Sequence, residues 1–201
     1  MTLLSVTGHD EAGTQLAALL KKDGVSARLH RDQGIATTVK LRVIGRQQQL
    51  LRVDFETAPS HEVLSSKLRE YRKLLAAHDV VILSDYGKGG LTHIAAMISA
   101  ARAARKPVLV DPKGEDFSRY RGATLLTPNR AEFREVAGTA RSESDLTARA
   151  QKLRRALRLE ALLVTRSEEG MTLYRGGGSN TGSAGQVKGR LHAPTQAREV
   201  Y

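Results

Sequence analysis

Polar residues that suit anion binding follow four successive apolar runs of this sequence. Each of the four segments contains several residues of the types Asp, Lys, Asn, Glu, Thr and Gly. The segments cover residues 84–90, 111–114, 127–132 and 165–170. Lys88 and Lys113 carry donors for phosphate oxygens. A helix beginning beside Asn129 would present free backbone N–H groups to the same kind of ligand. The four segments together predict a site for a phosphorylated ligand.

Each segment also has an ordinary structural explanation. Asp111-Pro112 and Thr127-Pro128-Asn129 are typical of turns, and Asn129 followed by Glu132 is the pattern of a helix capping box. Taken singly, turn and cap chemistry explains each of them. The sequence contains neither a Gly-x-x-x-x-Gly-Lys-Ser/Thr loop nor a Gly-x-Gly-x-x-Gly run after a strand, and its histidines lack metal-ligand spacing. A phosphate-binding site of another type is the hypothesis that accounts for all four segments.

The elements that must position these residues alternate between strand and helix. Short apolar runs predict strands over 3–6, 80–83, 108–110, 124–126, 162–165 and 171–174. Helical patterns cover 10–22, 61–77, 91–104, 131–136 and 144–157, and in the first we expect Leu16, Ala17, Leu19 and Leu20 to point inward. This alternation predicts an α/β fold with a doubly wound, mainly parallel sheet, in which ligands bind at the carboxyl ends of the strands.

One segment interrupts this alternation. Residues 37–43 and 49–55 alternate apolar and polar side chains with a two-residue period, which predicts an antiparallel ribbon that turns at Gly45. Its polar face would carry the cations Lys40, Arg42, Arg52 and Arg46. The pattern leaves two interpretations open, a charged hairpin that protects a sheet edge and an anion-binding surface. Residues 175–190 are rich in Gly and Ser and predict a flexible connection.

Composition restricts the classes of function. The net charge of +11 suits a polyanion partner, but the cations are dispersed, aromatic residues make up 4% of the chain and no nucleic-acid-binding motif appears. We therefore expect no specific nucleic-acid partner. The chain has no Cys, no signal-peptide pattern and no apolar stretch of membrane-spanning length. We expect a cytoplasmic protein that does not bind membranes, with residues 1–201 forming one domain.

Several motifs resemble those of one enzyme family. They are Thr-Thr-Val-Lys-Leu-Arg-Val (37–43), Arg-Gln-Gln-Gln-Leu-Leu-Arg-Val-Asp-Phe-Glu (46–56), Ser-Asp-Tyr-Gly-Lys-Gly (84–89), Val-Asp-Pro-Lys-Gly (110–114), Leu-Thr-Pro-Asn (126–129) and Leu-Val-Thr-Arg-Ser (163–167). Over essentially the whole chain the sequence resembles the ATP-dependent carbohydrate kinases of the PfkB, or ribokinase, superfamily. The ribbon with its Arg-Gln-Gln-Gln run is specific for the heptose 7-phosphate kinases within it.

The resemblance implies a ribokinase-like fold with a small β lid, formed by residues 37–55, that often pairs with the lid of a second subunit, and hence a homodimer. The residues it implies for substrate binding are Lys40, Arg42, Arg46, Arg52, Asp85 and Lys88. Those it implies for ATP binding are Lys113, Asn129, Glu132, Thr165, Arg166 and Gly170. Asn129 and Glu132 match the family's Asn-x-x-Glu motif, and Glu132 would act on Mg²⁺ indirectly.

The reaction implied is transfer of the γ-phosphoryl group of ATP to the anomeric hydroxyl of D-glycero-β-D-manno-heptose 7-phosphate. The product would be the 1,7-bisphosphate, in ADP-heptose and lipopolysaccharide core synthesis. The family's Gly-Gly motif would precede Met1, and its Gly-Ala-Gly-Asp motif with the catalytic base would follow Tyr201. We therefore expect a partial kinase module, without a catalytic residue of its own and inactive alone. The alternative is a non-catalytic fragment that binds anions or self-associates.

Overall fold

The structure, a computed structural model, describes residues 1–176 and 189–195. The chain divides into two compact units, each described by itself. The ribbon unit comprises residues 1–74 and 86–93, and the sheet unit comprises residues 75–85 and 94–201. None of the helices formed by the described residues combines the length and the apolar composition needed to cross a bilayer.

The ribbon unit begins with a β-α-β arrangement. Strand β1 (Thr2–Gly8) pairs in parallel with β2 (Ser26–Asp32), and helix α1 (Glu11–Lys22) connects them. Asp10 caps α1 by accepting the backbone N–H of Gly13, as an N-cap acid should. The prediction that Leu19 points inward was wrong, because its side chain is 58% exposed. Strand β2 was not predicted from the sequence.

The predicted ribbon forms in the same unit. Strands β3 (Val39–Gly45) and β4 (Gln48–Phe55) pair antiparallel, and helix α2 (His61–Leu74) follows. The chain reverses at Arg46 and Gln47, with φ of 48° and 65°, so the predicted turn at Gly45 was one residue early. Two successive positive φ angles are typical of the tight turns whose twist matches a β-hairpin.

The sheet unit contains a six-stranded sheet in the order β10-β9-β8-β7-β6-β5. Its strands are β5 (Val81–Ser84), β6 (Val108–Asp111), β7 (Leu125–Leu126), β8 (Ala161–Thr165), β9 (Met171–Arg175) and β10 (Arg190–Ala193). Strands β5 to β8 are parallel, whereas β9 and β10 are antiparallel to their neighbours. The prediction of an α/β fold with a mainly parallel sheet is confirmed.

Three α-helices formed by the described residues accompany this sheet: α3 (Ile94–Ala103), α4 (Arg130–Ala137) and α5 (Glu143–Ala156). The core consists of fully buried residues from strands and helices, among them Ile94, Val108, Leu126 and Leu162. Helix α3 begins three residues after the predicted start. Strand β10 was not predicted, and most of the connection predicted over 175–190 lies outside the described residues.

Candidate functional site

The carboxyl end of β5 is joined to the loop after β6 by buried hydrogen bonds. Asp85, 5% exposed, accepts a hydrogen bond from the Tyr120 hydroxyl at 2.8 Å. Arg119 lies 3.5 Å from the same carboxylate oxygen. The Tyr120 hydroxyl also accepts the backbone N–H of Lys113 at 3.0 Å. Asp85 therefore fixes the loop that carries Lys113. The contact of Asp85 with substrate stays a prediction.

The loop after β6 is joined in turn to helix α4. Lys113 Nζ lies 3.0 Å from Glu132 Oε1 and half of the lysine side chain is exposed. The hydrogen bond to Glu132 raises the pKa of Lys113 above its ordinary value, so this side chain is protonated at neutral pH. Glu132 Oε2 accepts the backbone N–H of Asn129, whose side chain accepts the N–H of Glu132. Both halves of the predicted capping box are present.

Asn129 also meets the carboxyl end of β8. It forms an isolated parallel bridge with Thr165, and the N–H of Thr165 donates to the carbonyl of Pro128 at 3.1 Å. A series of contacts therefore runs from Asp85 by way of Tyr120 to Lys113 and Glu132, and from Glu132 by way of Asn129 to Thr165. Because the strands are parallel neighbours, their ends lie along one edge of the sheet. The structure thus brings together Asp85, Lys113, Asn129, Glu132 and Thr165 from four strand ends, whereas Lys88 lies in the ribbon unit.

Arg166 is the centre of an ion-pair network. Its guanidinium group is 7% exposed and donates to Glu143 at 2.5 and 3.0 Å, and it also contacts Glu169. Glu169 in turn pairs with Arg130, the first residue of α4. The hydrogen bonds from Arg166 lower the pKa of Glu143, and those from Arg130 and Arg166 lower that of Glu169. The predicted contact of Arg166 with ATP stays a prediction, and the observed pairing gives it a structural role.

Gly170 closes the loop between β8 and β9. Its φ of 86° lies in the left-handed region, and a Cβ atom there would come within 2.1 Å of the Ala193 carbonyl oxygen. The backbone of Arg166 donates to the Gly170 carbonyl at 2.8 Å. A glycine is therefore required by the backbone, whether or not this loop contacts nucleotide as predicted.

Two carboxylates of the sheet unit suit a divalent cation. Burial, and after it the nearby negative charge of Glu132, raises the pKa of Asp111. The described residues contain no group of three or more His, Cys, Asp or Glu that could hold a metal ion. Mg²⁺ is commonly bound by one or two carboxylates together with phosphate oxygens and water. Asp111 and Glu132 fit that mode and not an all-protein cage.

In the ribbon unit, the polar face of the ribbon contacts the segment 86–93. Lys40 Nζ lies 5.8 Å from the centre of the Tyr86 ring, within cation–π range. Lys88 pairs with Glu56, the residue that follows β4. Lys40 and Lys88 are therefore brought to the same end of the ribbon, although Lys88 is already paired with a carboxylate.

Two arginines face each other across the ribbon. Arg42 lies directly opposite Arg52 in the register of β3 and β4. Arg52 pairs with Asp54 at 3.0 Å, whereas Arg42 has no acidic partner among the residues that the structure describes. Like charges directly opposite each other destabilise a ribbon. Arg46 lies in the turn, six residues from Lys40 and about 20 Å away at 3.4 Å per residue, so the structure does not bring these two together.

Two carboxylates that sequence reasoning missed hold the ends of the ribbon. Asp10 accepts the hydroxyl and the backbone N–H of Thr37, at 2.7 and 2.6 Å. These hydrogen bonds, the hydroxyl one foremost, lower the pKa of Asp10 to about 2. Asp32 accepts the backbone N–H of Ser60 at 2.9 Å, and this bond is the main reason that its pKa is lowered. The ribbon is thus fixed just before β3 and just before α2.

Comparison with known proteins identifies the protein family to which the chain belongs. The model of the pfkB family carbohydrate kinases matches residues 1–194, and the chain belongs to that family.

Two relatives show the degree of similarity. The chain is 49% identical over 201 residues to a D-beta-D-heptose 7-phosphate kinase of Bordetella bronchiseptica, covering 100% of this chain and 61% of that protein. It is 50% identical over 200 residues to the bifunctional protein HldE of Aeromonas hydrophila, covering 99% of this chain and 40% of that protein. The chain therefore spans less than two thirds of the length of either relative.

Solved structures confirm the ribokinase-like fold. Phosphofructokinase-2 of Escherichia coli in complex with fructose-6-phosphate matches all of this chain and 64% of its own, with a TM-score of 0.71 and 15% identity. Ribokinase of Giardia lamblia matches 87% of this chain and 56% of its own, with a TM-score of 0.69 and 16% identity. At these identities the likeness concerns the fold alone.

Proposed function

We propose that the protein transfers the γ-phosphoryl group of ATP to the anomeric hydroxyl of D-glycero-β-D-manno-heptose 7-phosphate. The bond between the γ-phosphorus and its bridging oxygen breaks, a bond to the anomeric oxygen forms, and ADP and the 1,7-bisphosphate result. The observation that carries this proposal is the identity of about half of all residues to the Bordetella heptose 7-phosphate kinase. We assign no residue of this chain to the proton acceptor. The use of ATP is the reason to propose a cytoplasmic location.

The polar face of the ribbon supports binding of the sugar phosphate. Arg42 faces Arg52 without an acidic partner of its own among the described residues, and a bound phosphate would neutralise this repulsion. The planar guanidinium group binds phosphate oxygens in a bidentate manner. Lys40 and Lys88 add positive charge at the base of the ribbon, whereas Arg46 in the turn would contact the sugar phosphate only if the ligand reached that end. Asp85 would bind the sugar hydroxyls.

The carboxyl edge of the sheet supports binding of ATP and Mg²⁺. Lys113 is an exposed cation beside Glu132, and the N-terminus of α4 offers to an anion those backbone N–H groups of its first turn that the capping box does not use. Asp111 and Glu132 would hold Mg²⁺ by way of the phosphates and of water. Thr165, Arg166 and Gly170 would form the nucleotide side of the site. Phosphoryl transfer depends mainly on such positioning and charge neutralisation.

The kinase proposal is tested by a coupled assay of ADP release. The enzyme is this chain completed with the unmatched parts of the Bordetella kinase, supplied with ATP, Mg²⁺ and heptose 7-phosphate. We expect sugar-dependent ADP release, and Lys113→Ala should raise the Kd for ATP about tenfold, the size expected for a charge-assisted hydrogen bond. Arg155→Ala, an exposed arginine of α5, is the matched control. If the wild type released no ADP but bound anions, the non-catalytic alternative would be correct.

We also propose that the apolar face of the ribbon binds the same face of a second copy. This face consists of large apolar side chains that are exposed. They are Val39, Leu41, Val43, Leu51 and Phe55, each at least 40% exposed. Val39 lies opposite Phe55 and Val43 opposite Leu51 in the register, and Leu41 lies between them on β3, so they form one continuous surface. An apolar surface of this kind on a protein is typical of an interaction site.

The dimer proposal is tested by light scattering. Leu41→Lys in the centre of the apolar face should convert a dimer into a monomer, because it would bury an unpaired charge in the interface. Leu19→Lys, at an exposed leucine of α1, should leave the mass unchanged. A dimer that survives Leu41→Lys would remove the ribbon from the interface.

A further inference from the structure

Tyr120 joins two strand ends of the sheet unit through one buried hydroxyl group. It ends a short 3₁₀ turn, Phe117–Tyr120, and its side chain is fully buried. The hydroxyl accepts the backbone N–H of Lys113 at 3.0 Å, and it lies 2.8 Å from Asp85 Oδ2 and 2.9 Å from the Lys113 carbonyl oxygen. Its single proton is donated to one of these two oxygens at a time. One side chain therefore contacts both backbone polar groups of Lys113.

The surroundings keep this hydroxyl neutral and able to donate. Burial raises the pKa of Tyr120 to about 12, so the proton is retained at neutral pH. Asp85 also has a cationic neighbour in Arg119, 3.5 Å away. The contact between Tyr120 and Asp85 joins residues 35 positions apart, so it ties the loop after β6 to the end of β5.

The side chain of Lys113 can bind a ligand well only if its backbone is held in one position. It is 53% exposed, and its ammonium group has one acidic partner among the described residues, Glu132 at 3.0 Å. An exposed lysine loses rotamer entropy when it is held in one conformation. A fixed backbone lowers that cost for ligand binding because fewer starting conformations are open to the side chain.

We propose that Tyr120 is a positioning residue for Lys113. Its hydroxyl fixes the backbone of the loop 111–114, so that the ammonium group of Lys113 lies between Glu132 and an incoming phosphate. The identity of that phosphate as part of ATP rests on the proposed function. Tyr120 itself does not touch the nucleotide.

Tyr120→Phe is the direct test, because it removes the hydroxyl oxygen and leaves the ring in place. Exchange of the Lys113 amide hydrogen, followed by NMR without ligand, should become at least tenfold faster because the acceptor of that N–H is gone. The Kd for MgATP, measured by calorimetry, should rise about five- to tenfold, which corresponds to one lost hydrogen bond. Tyr174→Phe is the matched control, since that tyrosine is equally buried and its hydroxyl lies near Arg190, with no hydrogen bond to the loop 111–114 among the described residues. It should leave both quantities unchanged.

A double mutant separates positioning from a general loss of stability. Lys113→Met should weaken ATP binding about tenfold in the wild type and less than threefold in Tyr120→Phe, because the two residues act through one contact. Equal losses in both backgrounds, or an unchanged exchange rate of the Lys113 amide in Tyr120→Phe, would overturn the proposal. If the wild type bound no ATP, the proposed function would fail, and the exchange measurement alone would decide the role of Tyr120.

Discussion

The arginines of the ribbon and those of the sheet edge differ in what they contact. Arg42 is exposed, faces another arginine and has no acidic partner among the described residues. Arg166 is buried and donates to two carboxylates from different elements. Both were predicted from the sequence to bind a phosphorylated ligand.

This difference separates cations that hold the fold from cations that are open to a ligand. A buried charge is stable only when it is paired and hydrogen-bonded, so Arg166 already contributes to the folded state. Repulsion between Arg42 and Arg52 lowers the stability of the ribbon until an anion is bound. Substitution of Arg166 should therefore affect stability first, and substitution of Arg42 should affect binding.

The largest expected effect is that of Arg166→Met on stability. The substitution leaves Glu143 and Glu169 without their shared cation, and we expect a loss of about 2 kcal/mol in the free energy of unfolding. This is less than the cost of breaking a fully buried pair, because Glu143 is half exposed. Urea denaturation measures it, with Arg155→Met on α5 as a control that should change stability by less than about 0.5 kcal/mol. If the two variants were equally stable, Arg166 would not be a cation that holds the fold.

A smaller loss is expected for Asn129→Ala, at the cap of α4. Loss of an N-cap side chain costs about 1 kcal/mol of stability, and we also expect weaker ATP binding. Ser142→Ala is the control, because Ser142 caps α5 by accepting the N–H of Asp145 at 3.1 Å. Both variants should lose similar stability in urea, and calorimetry should show weaker ATP binding for Asn129→Ala only. If Asn129→Ala bound ATP with wild-type affinity, the role of Asn129 would be that of the N-cap of α4 alone.

The smallest expected effect concerns the pH dependence of the ribbon anchor. Hydrogen bonds from Thr37 lower the pKa of Asp10 from 3.8 to about 2. Because the folded value is the lower one, the contribution of Asp10 to stability is complete above pH 4 and is lost as the pH falls towards 2. Asp10→Asn should therefore flatten the fall of Tm between pH 4 and pH 2.

Asp23→Asn serves as the control for that experiment. The side chain of Asp23, at the end of α1, has no hydrogen bond among the described residues, so the variant should retain the wild-type pH dependence. A wild-type slope in Asp10→Asn would show that the anchor does not depend on this carboxylate.

Elements built from local signals were predictable from the sequence. The capping box of α4 is contained within four residues, Asn129 to Glu132, and the apolar strands β6 and β8 lie close to the predicted ranges. The alternating pattern of the ribbon was sufficient for its two strands. Its turn was misplaced because Gly45 is the residue that local preference favours, whereas the observed register, with its irregularity between Val43 and Ile44, places Arg46 and Gln47 in the turn.

Features that depend on distant partners were not predictable. Strand β2 has the sequence Ser-Ala-Arg-Leu-His-Arg-Asp, and it forms a strand because it pairs with β1. The contacts of Tyr120 with Asp85 and of Asp10 with Thr37 join residues 35 and 27 positions apart. A single tyrosine or aspartate has no spacing signal, so these roles follow only from the fold.

The assignment of the ribbon cations to the sugar phosphate is tested by calorimetric titration with D-glycero-β-D-manno-heptose 7-phosphate. We predict that the wild type binds the sugar phosphate, that added salt weakens binding, and that Arg42→Ala raises the Kd about tenfold. The stability of Arg42→Ala in urea should stay within about 0.5 kcal/mol of the wild type, and Arg155→Ala should bind normally. Undiminished binding by Arg42→Ala, or no binding by the wild type, would contradict the assignment of the ribbon cations to the sugar phosphate.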